Sequence, residues 1–414
     1  MKKRVVVTGL GVISPVGNDV ASFWGALKEG KSGVGPITSF DASTFDSRIA
    51  GEVKDFNPAN YGIDPKELRR KAKFVQYALS SAKQAIDQSG LDLEKINKER
   101  AGVIIGSGIG DLLIIEVEHK VYLDKGADRM SPFLIPTLIV NAASGHIGIT
   151  FGFKGPNSAV ATACASGSHA IGDAFKIVQR GDADIMVTGG SESCVVPTAV
   201  GGFCALKALS KRNDDPHGAS RPFELDRDGF VMAEGCGIVV LESLEHAQKR
   251  NAKILAELVG YGLTCDAFHI TAPDPSGEGA GRAMKLALAD AGLNPEDIQY
   301  VNAHGTSTKL NDKIETLSMK LAFGNHAKKL LVSSTKSMTG HSLGAAGGVE
   351  FVACCMTIRD GVVHPTINYK HPDPECDLDY VPNTARKIDV NACMSNSLGF
   401  GGHNASLIVK KFKS

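Results

Sequence analysis

Short apolar runs rich in β-branched residues alternate with longer Ala-rich segments of helical period along the whole chain, and no linker or low-complexity tract separates them. Residues 74–88 and 281–290 have the period of amphipathic helices. The apolar runs lie at residues 5–7, 102–105, 184–187, 237–240 and 300–302. Such runs are typical of strands covered on both faces, so the alternation predicts an α/β fold with buried sheets.

A weak internal repeat divides the chain. Residues 85–106 and residues 287–304 share one pattern, in which a helix, a Gly-Leu pair and a strand follow each other. A chain of 414 residues with 43% hydrophobic composition is too long for one small core. The repeat therefore predicts two duplicated halves, at 1–258 and 259–414, each directing a loop to one central site.

Charge balance and cysteine usage exclude several classes of protein. Lys plus Arg and Asp plus Glu each number 45, so no general attraction to nucleic acid or anionic lipid is implied. The basic start precedes only a short apolar run, so we expect no signal peptide. The sequence has no run of about 18 apolar residues, so we expect no membrane span. Nine cysteines without a CxxC pair favour a reducing compartment, the cytoplasm, and argue against structural zinc.

Cys164 stands where a strand-like segment meets a helix, in the run ATACASGSHA. The unpaired N–H groups and positive dipole end at a helix start favour thiolate over thiol, as a nucleophile requires. A buried packing cysteine is the ordinary alternative, and it is our interpretation of the other eight. His169 lies about 140° around the helix axis from Cys164, which favours a structural role for it.

Two segments of the second half add histidines and a lysine. His304 follows a strand in YVNAHGTST, at the kind of edge where α/β enzymes place catalytic groups. Lys336 and His341 lie in STKSMTGH, before small residues that let a helix begin close to a ligand. Phe400 stands among glycines in NSLGFGGHN, a run that can turn tightly and present backbone N–H groups. A single histidine is more often structural, but its occurrence with the cysteine motif favours catalysis.

These motifs, in this order over the whole chain, resemble the β-ketoacyl synthase family. The resemblance implies a thiolase-like fold of five α-β-α-β-α layers in two duplicated halves, and a homodimer. It implies Cys164 as the nucleophile of the N-terminal half, His304 and His341 as the catalytic pair of the C-terminal half, and Lys336 as their lysine. The backbone N–H groups of Cys164 and Phe400 would form an oxyanion hole.

The second histidine is typical of elongating members, because initiating members carry Asn at that position. The runs GSGIG and GGF resemble synthase II relatives, whereas the run around His341 also occurs in synthase I relatives, so both subtypes stay open. The likeness to synthase II implies an acyl pocket lined or gated by Ile109, Phe203 and Phe400. Four positions depart from the family's usual Pro, Gly, Phe and Thr, and they bear on substrate range: Lys309, Asn311, Leu398 and His403.

The resemblance also implies a partner, acyl carrier protein in its acyl and malonyl forms. The reaction would be a decarboxylative Claisen condensation on acyl-Cys164 during fatty-acid elongation. Carrier protein is acidic, and the positions that match the family's carrier contacts are basic: Lys66, Arg69, Arg70 and Lys207. No metal, flavin or nucleotide cofactor is implied, because the carrier brings the phosphopantetheine arm. Supporting roles are assigned to Asp312, Glu315 and Glu350.

Three alternatives remain at the level of sequence. A thiolase or polyketide-type condensing enzyme would differ in whether CO2 release from malonyl carrier accompanies condensation. A noncatalytic subunit that sets chain length would bind carrier and leave Cys164 unacylated. An unrelated cysteine hydrolase would release free acid without a condensed product.

Overall fold

The computed structural model describes residues 2–64 and 71–413, and its core is a ten-stranded sheet. Strands β1 to β7 are Val5–Ile13, Gly35–Pro36, Ile49–Ala50, Ala101–Gly106, Asn157–Val160, Ile185–Glu192 and Gly235–Ser243. Strands β8 to β14 are Ala256–Cys265, Tyr300–Asn302, Leu331–Ser333, Val362–Val363, Arg386–Lys387, Ala392–Gly399 and His403–Lys410. Two short ladders, β2 with β3 and β11 with β12, lie outside the large sheet.

The helices vary from one turn to about five turns in length. Helices α1 to α6 are Val20–Glu29, Lys73–Ser89, Leu112–Lys125, Leu134–Leu138, Ala142–Phe151 and Ser166–Arg180. Helices α7 to α12 are Pro197–Ala205, Leu244–Lys249, Glu278–Ala291, Lys309–Phe323, Lys336–Thr339 and Ala346–Asp360. Within the described ranges, none of them has both the length and the apolar character needed to cross a membrane.

The strand order shows that the fold is one topology used twice. From the centre outward, one side runs β1-β7-β6-β4-β5 and the other β8-β14-β13-β9-β10. Each side begins with two antiparallel pairings and ends with two parallel ones. β1 and β8 meet antiparallel, with Val5 opposite Leu258. The predicted duplication is confirmed; the division at residue 258 falls within β8 and stays a prediction.

Helices cover both faces of each half and produce the layers. α6 packs on β4 and β6 and also touches β14, while α12 packs on β7 and β13, so these two helices lie between the halves. α2 covers β1 and β7 from outside, and α9 covers β8 and β14. In α12, residues 346–358 are all buried, because a helix between the two halves of the large sheet has no solvent-facing side. The layers run helix, sheet, helix, sheet, helix.

The predicted elements agree with the structure. The five apolar runs fall in β1, β4, β6, β7 and β9, with Asp184 alone just before its strand, and the two amphipathic segments fall in α2 and α9. Both helices end at a glycine in the left-handed conformation, Gly90 with φ +67° and Gly292 with φ +64°. Only glycine adopts this conformation without strain, which explains the repeated Gly at the two helix ends.

Candidate active site

Cys164 lies in a short turn between the end of β5 and the beginning of α6. The turn is the 3₁₀ segment Ala163–Ala165, and Ala163 has a positive φ of 49°. Cys164 is 9% exposed, and it lines a cavity of about 460 Å³. The thiol is therefore reachable from the cavity.

Two histidines of the second half meet this thiol. His304 follows β9, and His341 follows α11. One side-chain atom each of Cys164, His304 and His341 lies within 4.8 Å of the other two. The two imidazole rings are perpendicular, at 88°, with their centroids 5.2 Å apart. Residues separated by up to 177 positions are thus brought to one point, in the arrangement that the resemblance implies.

Lys336 connects the histidines to a buried carboxylate. Its Nζ donates to the backbone oxygen of His304 at 2.6 Å and lies 3.3 Å from Nδ1 of that ring. It also forms an ion pair with Glu350 on α12. Because an ammonium group only donates, Nδ1 of His304 accepts, and its ring proton lies on Nε2.

Burial and the Lys336 charge set the protonation of the pair. Burial, followed by the nearby ammonium group, holds the pKa of both His304 and His341 well below the usual 6.5. Burial raises the pKa of Glu350 to about 7, against the opposing effect of Lys336. At neutral pH both imidazoles are uncharged, and each offers one N–H donor.

The prediction that the helix start favours thiolate was wrong in its net effect. Burial raises the pKa of Cys164 to about 12. Lys336 and the backbone N–H groups of Phe400 and Cys164 act in the opposite direction, but burial outweighs them. In addition, α6 begins at Ser166, two residues beyond the thiol. The free thiol is the form present at neutral pH, so a nucleophilic reaction requires a proton acceptor.

The glycine-rich run brings the Phe400 N–H to the sulfur. A Cβ on Gly399 would lie 2.7 Å from the Thr162 oxygen and 3.3 Å from the Cys164 nitrogen, so only glycine permits this approach. Gly401 and Gly402 have φ of +86° and +73°, which turns the chain back into β14. The N–H groups of Phe400 and Cys164 both donate to the sulfur, so they lie beside the reacting thiol, and the oxyanion hole itself stays a prediction.

Aromatic side chains form one wall of the cavity. The ring of Phe203 lies 6.4 Å from that of Phe400 and 5.3 Å from that of Phe230, and the Phe230 ring lies 5.4 Å from His341. Ile109 does not line this cavity; it packs against the apolar cluster that contains Cys164. Phe230 was missed by sequence reasoning, because nothing marks it within its local run.

Some of the positions predicted for carrier contact and substrate range line the cavity, and others do not. Lys207 is exposed and lines the cavity, whereas Lys66, Arg69 and Arg70 lie outside the described residues. Of the four departures from the family pattern, three also line the cavity: Lys309, Asn311 and Leu398. His403 does not line it; its ring packs 6.3 Å from that of His169.

Two buried carboxylates hold backbone segments at and near the site in place. Glu315 accepts hydrogen bonds from the backbone nitrogens of His304 and Gly305, both at 2.8 Å. Asp312 accepts from the Phe223 nitrogen at 2.8 Å and lies 3.6 Å from Arg227. Both carboxylates act on backbone. A third buried carboxylate, Glu192 at the end of β6, was not predicted from the sequence, because a single acid at the end of an apolar run has no distinguishing pattern.

His169 has structural contacts, as predicted. Its Nδ1 lies 2.7 Å from the Thr162 hydroxyl, and its Nε2 lies 3.4 Å from the Asn404 oxygen. Burial lowers the pKa of His169 to about 4, so the ring is neutral. It does not line the cavity, and it joins the cysteine turn to the segment after Phe400.

The donor atoms of the central cluster could in principle hold a metal ion. Cysteine and two histidines are ligands that Zn²⁺ accepts, but the sulfur must be deprotonated to bind. With a pKa of about 12 for Cys164, protons compete strongly with a metal at this site. A second group, Glu224 with Asp226 and His371, is largely exposed and already hydrogen-bonded within itself.

Comparison with known proteins identifies the family. Residues 2–247 match the N-terminal domain of β-ketoacyl synthases, and residues 255–370 match the C-terminal domain. The chain belongs to the β-ketoacyl synthase family. Among curated family members, 3-oxoacyl-acyl-carrier-protein synthase 2 of Synechocystis is 54% identical over 412 residues, covering 100% of this chain and 99% of that protein. Synthase 2 of Coxiella burnetii is 52% identical over 410 residues, covering 99% of each.

Solved ketosynthase structures share the fold. The ishigamide ketosynthase/chain length factor superposes with a TM-score of 0.94 at 38% identity, covering 100% of both chains. A type II polyketide ketosynthase, bound to a hexaketide and in complex with its acyl-carrier protein, gives 0.93 at 37% identity, again covering 100% of both chains. The predicted thiolase-like fold is confirmed.

Proposed function

We propose that this β-ketoacyl synthase is an elongating 3-oxoacyl-acyl-carrier-protein synthase of type 2, an acyltransferase that performs decarboxylative Claisen condensation in fatty-acid synthesis. The observation that carries the proposal is the meeting of Cys164, His304 and His341 within 4.8 Å at a cavity lined by apolar side chains. Full-length relatives at 52–54% identity bear the same function in their names.

In the first half-reaction, the Cys164 sulfur attacks the carbonyl carbon of an acyl thioester. Because the thiol is protonated at rest and Nδ1 of His304 already accepts from Lys336, neutral His341 accepts the thiol proton as the bond forms. The oxyanion is held by the N–H groups of Cys164 and Phe400. The carrier thiolate leaves and recovers the proton, and the acyl chain remains on sulfur.

In the second half-reaction, the neutral histidines donate to the malonyl thioester oxygen. Loss of CO2 leaves an electron pair on the α-carbon, and N–H donors aimed at the enolate oxygen stabilise it. This carbon attacks the acyl-Cys164 carbonyl and the C–S bond breaks. The released Cys164 thiolate takes up a proton from water, which restores the thiol, and the 3-ketoacyl carrier departs. Lys336 contributes by fixing His304 and by keeping both rings uncharged.

The substrates arrive on acyl carrier protein. Lys207 at the cavity, together with the predicted contacts Lys66, Arg69 and Arg70, would meet the acidic surface of the carrier. The polyketide ketosynthase of the same fold was solved with its own carrier protein, which supports this partner. The phosphopantetheine arm supplied by the carrier makes a further cofactor unnecessary, and the cytoplasm is the compartment in which we expect the reaction.

A homodimer is the proposed assembly. Large apolar side chains are exposed on α3, on α5 and in and directly after α4: Val117, Leu123, Ile135, Ile139 and Ile149. Of these helices, α5 packs on β5, and β5 ends the sheet with one edge that no described strand pairs. Exposed apolar side chains beside an unpaired strand edge favour a second copy of the chain as the occupant, since strand pairing and apolar burial then occur together.

Intact-mass analysis of the wild type and of Cys164→Ala tests the proposal, with acyl carrier protein added first and malonyl carrier protein second. We expect a mass increase of one acyl group on the wild type alone, followed by coupled release of CO2 and a 3-ketoacyl product. An unmodified Cys164 with carrier still bound would identify a noncatalytic subunit. Free acid without a condensed product would identify a hydrolase.

A further inference from the structure

Glu192, at the end of β6, is a buried carboxylate beside the proposed active site. It is fully buried and accepts hydrogen bonds from the Ser107 hydroxyl at 2.8 Å and from the backbone nitrogens of Gly108 at 2.6 Å, Gly344 at 3.0 Å and Ile109 at 3.4 Å. Its contacts in the described part of the chain are neutral donors. A buried carboxylate without a cation beside it carries a desolvation penalty that such hydrogen bonds only partly offset.

The four donors come from different halves of the molecule. Ser107, Gly108 and Ile109 follow β4 in the first half, whereas Gly344 follows His341 in the second. A Cβ on Gly344 would lie 2.3 Å from the Gly108 nitrogen and 2.6 Å from a Glu192 oxygen. The two backbone segments therefore touch at this carboxylate, and glycine is required for them to do so.

Both segments are next to reacting groups. A Cβ on Gly108 would lie 3.3 Å from the Ala163 oxygen, so the first segment packs on the turn that carries Cys164. In the second, Leu343 lines the cavity and adopts a left-handed conformation with φ +47°, which is strained for a residue with a branched side chain. Gly344 comes directly after this strained residue, and the hydrogen bond from its backbone nitrogen to the Glu192 carboxylate holds Leu343 in place.

We propose that Glu192 is a positioning residue: its carboxylate ties the His341–Gly344 segment to the Ser107–Ile109 segment and thereby sets the place of His341 relative to Cys164. The proposal rests on the condensing function described above. Glu192 itself touches no reacting atom, so it acts through the two segments. Its charge also acts on the thiol, because Glu192 is among the groups that raise the pKa of Cys164.

Glu192→Gln tests this with a side chain of nearly the same shape. The amide NH2 would face backbone N–H donors, so at least one of the four bonds becomes a repulsion and the segments move apart. We expect kcat for condensation to fall by about 10- to 100-fold, as for a displacement of reacting groups of roughly 1 Å, with KM for carrier substrates within about two-fold. Alkylation of Cys164 by iodoacetamide should proceed at least as fast as in the wild type.

Glu242→Gln is the matched control, because Glu242 is also a buried carboxylate of the first half, bonded to Thr8, His246 and Arg250 far from the cavity. We expect it to lower thermal stability while the folded enzyme keeps its kcat. Ser107→Ala, which removes one donor, should lower kcat by about three-fold and serves if Glu192→Gln does not fold.

A crystal structure of Glu192→Gln provides a readout that is independent of activity. Displacement of residues 341–344 from Cys164 is expected; an unmoved segment with unchanged kcat would overturn the proposal. If kcat and the alkylation rate both fall only in proportion to the folded fraction, Glu192 stabilises the fold and does not position the site. If the wild type makes no ketoacyl product while the segment still moves in the variant, the positioning role stands and the condensing function fails.

Discussion

Replacement of Lys336 by Met removes one ammonium group from the centre of the proposed site. Lys336 is 1% exposed, donates to the His304 oxygen at 2.6 Å and lies 3.3 Å from its Nδ1. Methionine fills a similar volume without donating, so His304 loses both contacts and is free to rotate. The ion pair with Glu350 is lost as well.

The size of the effect follows from these contacts. A hydrogen bond from a charged donor contributes about 1.5–3 kcal/mol, and each 1.36 kcal/mol of lost transition-state stabilisation corresponds to about ten-fold in rate. We therefore expect kcat for malonyl decarboxylation and condensation to fall by about 10- to 100-fold. Acylation should fall too, because Lys336 lowers the pKa of Cys164.

The same variant should change the pH dependence. Lys336 is one cause of the low pKa of His304 and His341, so its loss raises both pKa values and shifts the acidic limb of activity to higher pH. Glu350 has a folded pKa of about 7 against an ordinary value of 4.5. A raised carboxyl pKa means that the folded state binds more protons, so stability falls as pH rises from 4.5 to about 7. Without Lys336 this pKa rises further, and the loss in Tm should be larger at pH 8 than at pH 6.

Steady-state kinetics with purified carrier substrates between pH 5 and 9, together with thermal melts, would measure these effects. Lys176→Met is the control, because Lys176 is paired with Asp290 at 2.6 Å and lies outside the cavity. It should leave kcat and its acidic limb unchanged. A Lys336→Met enzyme with kcat within three-fold of the wild type and an unshifted acidic limb would refute the reasoning.

Three further substitutions test the other parts of the site. Gly399→Ala places a methyl group 2.7 Å from the Thr162 oxygen, pushes the Phe400 N–H away from the sulfur and should slow acylation by about 100-fold, as seen by intact mass. Phe203→Ala opens the aromatic wall of the cavity, so kcat/KM should rise for longer acyl chains relative to shorter ones in a competition assay, with a lower Tm. Lys309→Gln removes a cation from the cavity, and KM for carrier substrates should rise about two- to three-fold at low salt with kcat unchanged.

Each of these has an outcome that would count against it. Normal acylation by Gly399→Ala would mean that Phe400 supplies no oxyanion contact. An unchanged chain-length profile for Phe203→Ala would place the acyl chain elsewhere. For Lys309→Gln, a loss that is the same at low and high salt would argue against an electrostatic contribution, and Lys285→Gln on the surface of α9 is a control that should leave KM unchanged.

Local patterns were sufficient for the elements and for the segments that carry the chemistry. The apolar runs at β1, β4, β6, β7 and β9 and the helix ends at Gly90 and Gly292 depend on neighbours in sequence, so they could be predicted. The same holds for Cys164, His304, Lys336 and His341, each of which lies in a run of small and hydroxyl-bearing residues. Ile109, in contrast, was assigned to the pocket from a motif; it packs on the apolar cluster that contains Cys164 without lining the cavity, so its acyl-pocket role stays a prediction.

The sequence by itself determined the α/β class, the duplication and the residues that are available for catalysis, because these depend on periodicity and on side-chain chemistry. Only the tertiary structure decided how those residues behave. The Cys164 thiol has a raised pKa because residues far away in sequence exclude water from it, and burial outweighs the local effect of the helix start. Glu192 reaches Gly344 across 152 positions, and this contact exists only because two copies of one topology pack against each other.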